Sequence, residues 1–547
     1  MEPHNVIAQA ADGRRREPGD GVSRRGVLRL GATGILAAAG TGLLTSCQDT
    51  SGGAAPAATV TLHNAAPGGT PAPGGTLRVG MIGAGESETV NPLAPFSAVD
   101  IARVTNLYDR LFETTDSVSK LVPALGLSVE PNKSRSVWTL QLREGVTFHN
   151  GKPFTADDVI HSLRLWSDPS VSMAVGMGHY LDLPNIRKRG KLTVEIALVK
   201  PVYEFDSMLS IPYVVQDGAT ADQMTADSLG TGPFKLESFN AGQRSVFSAN
   251  RDYWEEGKPH VDELVIDSSY NDEDARINAL KGGEIDVAPS VPPVVARQIA
   301  SSTEVTLLRS PSASPFYFCM RTDTPPFNDV RVRQAMRLVV DRKALINGAL
   351  AGYGTVGNDL VGVGSNNFAK DLKRPRDVEK AKALLKAAGQ ESLKVKLHTS
   401  DVFAGATESA TLFADQASAA GITVEVQVLD PSIYFLPSTG WPHPFGLDVT
   451  GAYPSLTTAY SSMGQLGETA WDSTKDTSFN AAVSATDEAA AAAQWKRAQQ
   501  EQFETGGLIV WAQPDWLDAV GTTVRGLKVT VNGPLNSYCF RDGWLAK

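Results

Sequence analysis

Among side chains able to do chemistry, this sequence concentrates aromatic rings rather than nucleophiles or metal ligands. Phe316, Tyr317 and Phe318 are adjacent, and Trp441, Phe445, Tyr453, Tyr460 and Trp471 are interspersed with Gly and Pro. Rings at that density on loops can line a pocket and stack on a ligand, although core packing is the default for any one of them. Catalysis has no comparable signal. No Gly-x-Ser-x-Gly marks a nucleophile elbow. No two histidines stand three or four apart and no Cys-x-x-Cys occurs, so zinc has no ligand pattern. Gly80-Met81-Ile82-Gly83-Ala84-Gly85 follows a strand pattern, but Asn91-Pro92 arrives before any helical stripe that could aim an N-terminus at a pyrophosphate, so it reads as a loop. Gly145 to Lys152 has five residues between its glycines, and Pro153 stands where a phosphate loop needs Ser or Thr. Spacing alone does not reveal a carboxylate pair among the many Asp and Glu. No catalytic residue, metal or cofactor is expected.

Strands and helices must share the task of positioning the rings. Ordered sequence begins at Gly75-Thr76-Leu77-Arg78-Val79-Gly80, a short strand leaving the preceding Gly- and Pro-rich stretch. Trp138, Leu140 and Leu142 alternate with polar residues, as do Leu192, Val194, Ile196 and Leu198, Leu393 to Leu397, and Ile422 to Val428. Thr155 caps a helix whose first turn holds Asp157 and Asp158 and whose apolar face is Val159, Leu163 and Trp166. Asn271 is expected to cap a helix ending at Gly282-Gly283, before a strand at Ile285-Asp286-Val287. Val332, Ala335, Met336 and Val339 form one stripe, Asp341 restarts a helix to Leu350, and Val378 to Ala388 forms another, closed by Gly389. Ala489 to Phe503 is a last long helix. No repeat of fixed period appears, and the class is α/β in more than one unit.

The 547 residues fit roughly three or four units at ~150 residues each. Composition is that of a soluble globular protein, with 42% apolar and 20% charged residues. The net charge of -10 argues against a nucleic-acid partner, which would require a basic footprint. Three cysteines cannot make a disulfide scaffold. Cys319 and Cys539 are left either as free buried thiols or as one bridge, since spacing does not place them within reach of each other.

Residues 1–46 read as an export signal. Arg14 to Arg16 and Ser23-Arg24-Arg25-Gly26-Val27-Leu28-Arg29 precede a Gly- and Ala-rich apolar run to Leu44, too short and interrupted to span a bilayer. The Arg pair with apolar residues beyond it resembles a twin-arginine signal, with Val27 where Phe is commonest. Leu44-Thr45-Ser46-Cys47 resembles the bacterial lipoprotein box, which implies lipidation of Cys47. Residues 47–75, rich in Gly, Pro, Ala and Thr, cannot bury enough apolar surface to order themselves and act as a tether. The folded body is expected outside the cytoplasm, anchored by lipid to the outer face of the membrane.

From Tyr108 the sequence becomes specific. Tyr108-Asp109-Arg110-Leu111-Phe112-Glu113, Leu121-Val122-Pro123-Ala124-Leu125 and the run Trp138-Thr139-Leu140-Gln141-Leu142-Arg143-Glu144-Gly145-Val146-Thr147-Phe148-His149-Asn150-Gly151-Lys152-Pro153-Phe154 occur in order. Gly230-Thr231-Gly232-Pro233-Phe234, Asn250-Arg251-Asp252-Tyr253-Trp254, Gly283-Glu284-Ile285-Asp286 and Pro326-Phe327-Asn328-Asp329-Val330-Arg331 follow. Together these blocks resemble the signature of family 5 extracellular solute-binding proteins, the peptide- and nickel-binding receptors of ABC importers. The resemblance implies a two-lobed periplasmic-binding-protein-like fold (type II, cluster C) with a hinge. Lobe one would be 76–308 plus 514–547, with 96–204 as its extra subdomain, and lobe two 309–513. It further implies a non-enzymatic monomer that encloses a solute between closing lobes and delivers it to an ABC permease.

The resemblance makes Asn91, Tyr317, Trp441 and Tyr453 the candidate ligand-binding residues. Peptide is the leading solute class, with nickel chelates and glycosides as alternatives. Peptide receptors of this family often carry an Asp that pairs with the α-ammonium, and here Ala452 stands in its place, with Asp448 nearby but out of register. A tethered hydrolase and a sensor or adhesion protein on the same fold are the rival readings.

Overall fold

The computed structural model describes residues 68–547 except 96, 115–116, 169–174, 221, 225–228, 432, 450–451, 462–464 and 532. The export segment, Cys47 and the tether as far as 67 lie outside the described residues.

Local signals in the sequence produce most of the elements. Thr155 precedes helix Ala156–Trp166, and the Asp158 carboxylate reaches back to accept from the Thr155 N–H at 2.7 Å, closing the first turn. Val159, Leu163 and Trp166 are buried on its inner face. Asp341 caps Arg342–Ala349 by accepting from Ala344 N at 3.0 Å. The expected cap at Asn271 is corrected by one residue. The helix is Glu273–Lys281, and Asp272 accepts from Ala275 N at 2.8 Å, because Asn271 lies one position too far from the first free N–H groups. The strand that follows is also shorter than expected, Val287–Ala288, although the Asp286 backbone still donates to Arg78 O at 2.7 Å and accepts from Gly521 N at 2.8 Å.

Three main sheets result. The first has seven strands in the order Val305–Ser310, Trp516–Gly521, Val287–Ala288, Thr76–Ile82, Glu263–Tyr270, Arg244–Ala249 and Phe234–Phe239. Thr76–Ile82 runs parallel to both of its neighbours, and the other pairs are antiparallel. The second has six, in the order Gly354–Val356, Leu508–Pro514, Phe316–Met320, Phe445–Val449, Lys394–Thr399 and Thr423–Val428. A four-stranded antiparallel sheet, Gly126–Pro131, Val137–Leu142, Thr193–Ala197 and Arg187–Gly190, stands apart from both. The chain passes from the first sheet to the second through 311–315 and returns through Asp515, whose carboxylate accepts from Arg309 Nε at 2.5 Å.

Phe316 and Phe318 do not sit on a loop. They occupy a central strand of the second sheet, 2% and 0% exposed, and pack against Trp511, Phe413 and Phe445. Each such ring stabilises the fold by about 1.5–3 kcal/mol through burial. Tyr460, Trp471, Phe479 and Trp495 meet edge to face in another core cluster. Among the described residues, no helix is long and apolar enough to cross a membrane. Cys319 and Cys539 are both free and buried.

Candidate functional site

In the second sheet, antiparallel pairing sets Tyr317 directly opposite Asp448. Residues paired in this way share one face of the sheet, with their Cβ atoms about 5 Å apart. The Tyr317 hydroxyl donates to both carboxyl oxygens of Glu468, at 3.0 and 3.1 Å, at the end of the short helix Gln465–Glu468. Glu468 is also hydrogen-bonded to the Asp448 carboxyl. Two carboxyls in contact inside a protein cannot both ionise. Burial pushes Glu468 well above the ordinary carboxylate range and the Asp448 charge pushes it further, so Glu468 keeps its proton.

This pair forms one wall of a small recess, with room for about one water molecule, whose other walls include Cys319, Tyr434, Trp441 and His443. Tyr434 is locked in place, its hydroxyl donating to Leu447 O and accepting from Leu447 N at 3.1 Å. His443 stacks on His398, with ring centroids 4.4 Å apart. Burial, with the second imidazole beside it, lowers His443 to about 4, so it is neutral near pH 7. Its Nδ1 is buried and meets no partner among the described residues. Burial raises the Cys319 thiol well above its ordinary value, which keeps it protonated and unreactive. The recess is therefore rich in acceptors and anionic. Its chemistry suits a group that brings hydrogen-bond donors and positive charge, such as an ammonium.

Of the sequence candidates, Trp441 lines this recess, and Tyr317 lies buried behind it, its hydroxyl bonded to the Glu468 carboxyl. Tyr453 is half-buried and lies near Tyr317. Asn91 lies in the loop that follows strand Thr76–Ile82, where its side chain accepts from Leu93 N at 3.0 Å and so holds its own turn. That loop is fixed by Glu88, which pairs with Arg103 at 2.8 Å, both fully buried, and accepts from Ala84 N and Gly242 N.

A second set of contacts joins segment 119–204 to the second-sheet half. Glu204 accepts from the backbone N–H and hydroxyl of Thr457. Tyr203 N donates to Val483 O at 2.7 Å, Lys200 Nζ to Asn480 Oδ1 at 3.2 Å, and Ser119 Oγ to Asn366 Oδ1 at 3.1 Å. The two halves are thus in contact at four places along this segment. Glu468, His443, Glu204 and Thr457 carried no local signal in the sequence, because their roles come from long-range pairing.

The family model for bacterial extracellular solute-binding proteins, family 5 (middle region), matches residues 120–485. The chain is similar to the dipeptide-binding protein of Escherichia coli strain K12, 28% identical over 314 residues that cover 52% of this chain and 58% of that protein. It is also similar to heme-binding protein A of Haemophilus influenzae, 30% identical over 312 residues that cover 52% of this chain and 56% of that one. The chain thus spans a little over half the length of these two relatives. Among solved structures it resembles the oligopeptide-binding protein AppA of Bacillus subtilis in complex with a nonapeptide. There the TM-score is 0.73 and the identity 21%, over 87% of this chain and all of that one, which establishes the shared two-lobed fold.

Proposed function

This chain belongs to family 5 of the bacterial extracellular solute-binding proteins, and from that membership we propose that it captures a solute between its lobes and hands it, chemically unchanged, to an ABC importer. The observation that carries the reading is the recess built on Tyr317, Asp448 and Glu468, a buried, anionic, ring-lined site in the half that the chain enters through 311–315 and leaves through Asp515. In this reading lobe one is 76–308 plus 514–547, with 96–204 as its added subdomain, and lobe two is 309–513. Closure brings ligand contacts from both lobes together, and the seam at Glu204 and Tyr203 belongs to the closed form.

Peptide is the leading solute class. Ala452 leaves the usual anchor position without a carboxylate, and the Asp448–Glu468 pair supplies one from a different strand position. It would meet a solute's ammonium. A nickel chelate or a glycoside is the alternative within the same architecture. Lipidation at Cys47 after twin-arginine export would hold the receptor beside its permease and raise its effective concentration there. No step requires a catalytic group.

The test is calorimetry with trialanine, N-acetyl-trialanine, a nickel–histidine chelate and a disaccharide, with the bound solute recovered and weighed by mass spectrometry. Trialanine is expected to bind at least tenfold more tightly than its acetylated form, and Asp448→Asn to erase that difference. Equal binding of both peptides would remove the ammonium reading. Recovery of cleaved peptide would remove the receptor reading.

A further inference from the structure

A second recess lies in the first lobe, where helix Ala98–Leu107 meets the C-terminal segment, and it is open to solvent with room for about two or three water molecules. The carboxylates in its walls already have donors. Asp109 accepts from Tyr253 at 2.9 Å, Thr231 at 2.9 Å and Trp254 at 3.0 Å. Glu113 accepts from both terminal nitrogens of Arg541, at 2.6 and 2.7 Å. What the walls still offer is donors. Arg110 gives one nitrogen to the Tyr213 hydroxyl at 2.6 Å and lies 4.3 Å over that ring, while its Nε is buried and meets no acceptor among the described residues. Thr114, Asn536 and Ser537 also line it, beside Thr105, Tyr108 and Cys539.

Asn536 and Ser537 belong to four consecutive non-glycine residues, Leu535 to Tyr538, with φ between 45 and 63°. Such backbone is unfavourable for L-residues and persists only where its surroundings hold it. Here Asp518 accepts from Leu535 N, and Asn106 bridges Tyr538 O and Phe540 N. The turn is thereby fixed with its two polar side chains in the wall. A buried guanidinium N–H without an acceptor is costly, and an anion supplies the acceptor.

We propose that this recess is an anion subsite, taking a carboxylate, phosphate or sulfonate group on Arg110, with Thr114, Asn536 and Ser537 as neutral donors. Its chemistry does not depend on the receptor reading. Only the source of the anion does, which is either the captured solute's own acidic end or a free inorganic anion.

Thermal unfolding of the full chain tests it, comparing wild type with Arg110→Gln and Arg110→Lys. The probes are acetate, phosphate, trialanine and trialanine C-terminal amide, at one ionic strength set with chloride. A free-anion site gives a saturable rise in melting temperature with phosphate or acetate that Arg110→Gln abolishes and Arg110→Lys weakens. A solute-borne anion gives no such rise. Instead trialanine binds at least tenfold more weakly to Arg110→Gln than to wild type, while the amide binds both equally. Identical shifts in wild type and Arg110→Gln, or no shift with any of the four probes, overturns the proposal. Binding of neither peptide together with an Arg110-dependent phosphate shift counts against the peptide reading and leaves the anion subsite standing. Melting in chloride alone shows whether each variant is folded.

Discussion

The Glu204 carboxylate accepts from Thr457 N at 3.3 Å and Thr457 Oγ1 at 3.1 Å, joining residues 253 positions apart across the seam between the two halves. Burial raises Glu204 from its ordinary 4.5 to about 7, with the Asp206 charge adding to the shift and the Thr457 donors opposing it. In the proposed open form Glu204 returns to water, so the proposed closed form binds this proton more tightly than the open one. Closure is then strongest below about pH 4.5, weakens by up to tenfold per unit as pH rises toward 7, and is flat above that. Small-angle scattering of the ligand-free protein should show the radius of gyration rising from pH 5 to pH 7. Glu204→Gln should remove this dependence, and an unchanged slope in that variant refutes the assignment.

Tyr317 anchors Glu468 by donating its hydroxyl. Tyr317→Phe keeps the ring in the sheet and removes the donor, so we expect a loss of about 1–2 kcal/mol. In urea the midpoint should fall with the slope unchanged. A midpoint equal to wild type would mean that Glu468 is held by other groups.

Glu88 and Arg103 form a fully buried ion pair beneath the loop that carries Asn91. Arg103→Met leaves the Glu88 charge unpaired and should cost about 3–5 kcal/mol, whereas the double change Glu88→Gln with Arg103→Met should recover part of it. The readout is the denaturant midpoint of all three variants. If the double variant is no more stable than the single one, the loss comes from packing around Arg103 rather than from the stranded charge.

Burial pushes the Cys539 thiol to about 11 and the Cys319 thiol well above its ordinary value. Neither should react with a disulfide reagent in the native protein at pH 8, and both should react in guanidinium. The melting temperature should be the same with and without a reductant. A drop on reduction would show a bridge that the structure does not contain.

Short-range information was enough for the helix caps at Thr155 and Asp341, for the alternating strands around Trp138 and Val194, and for the ordered blocks between Tyr108 and Arg331 that mark the family. Those features depend on neighbours within one turn or one strand, so residue type and spacing suffice. The cap expected at Asn271 missed by one position, because two polar residues in a row could each start that helix and only the backbone selects Asp272. The rings expected on a loop at Phe316 and Phe318 proved to be core, since an aromatic run reads the same way in a buried strand as beside a pocket.

The chemistry of the recesses was decided by tertiary structure. Tyr317 and Glu468 are 151 positions apart, and Asp448 joins them only through strand register, where a shift of one residue would turn its side chain to the other face. Arg110 shares a recess with Asn536 and Ser537 only because the C-terminal segment folds back beside the first long helix. Composition and local periodicity contain no term for such meetings. They arise when distant segments pair and bury one another, and burial then sets which carboxyls keep their protons and which guanidinium nitrogen meets no acceptor among the described residues.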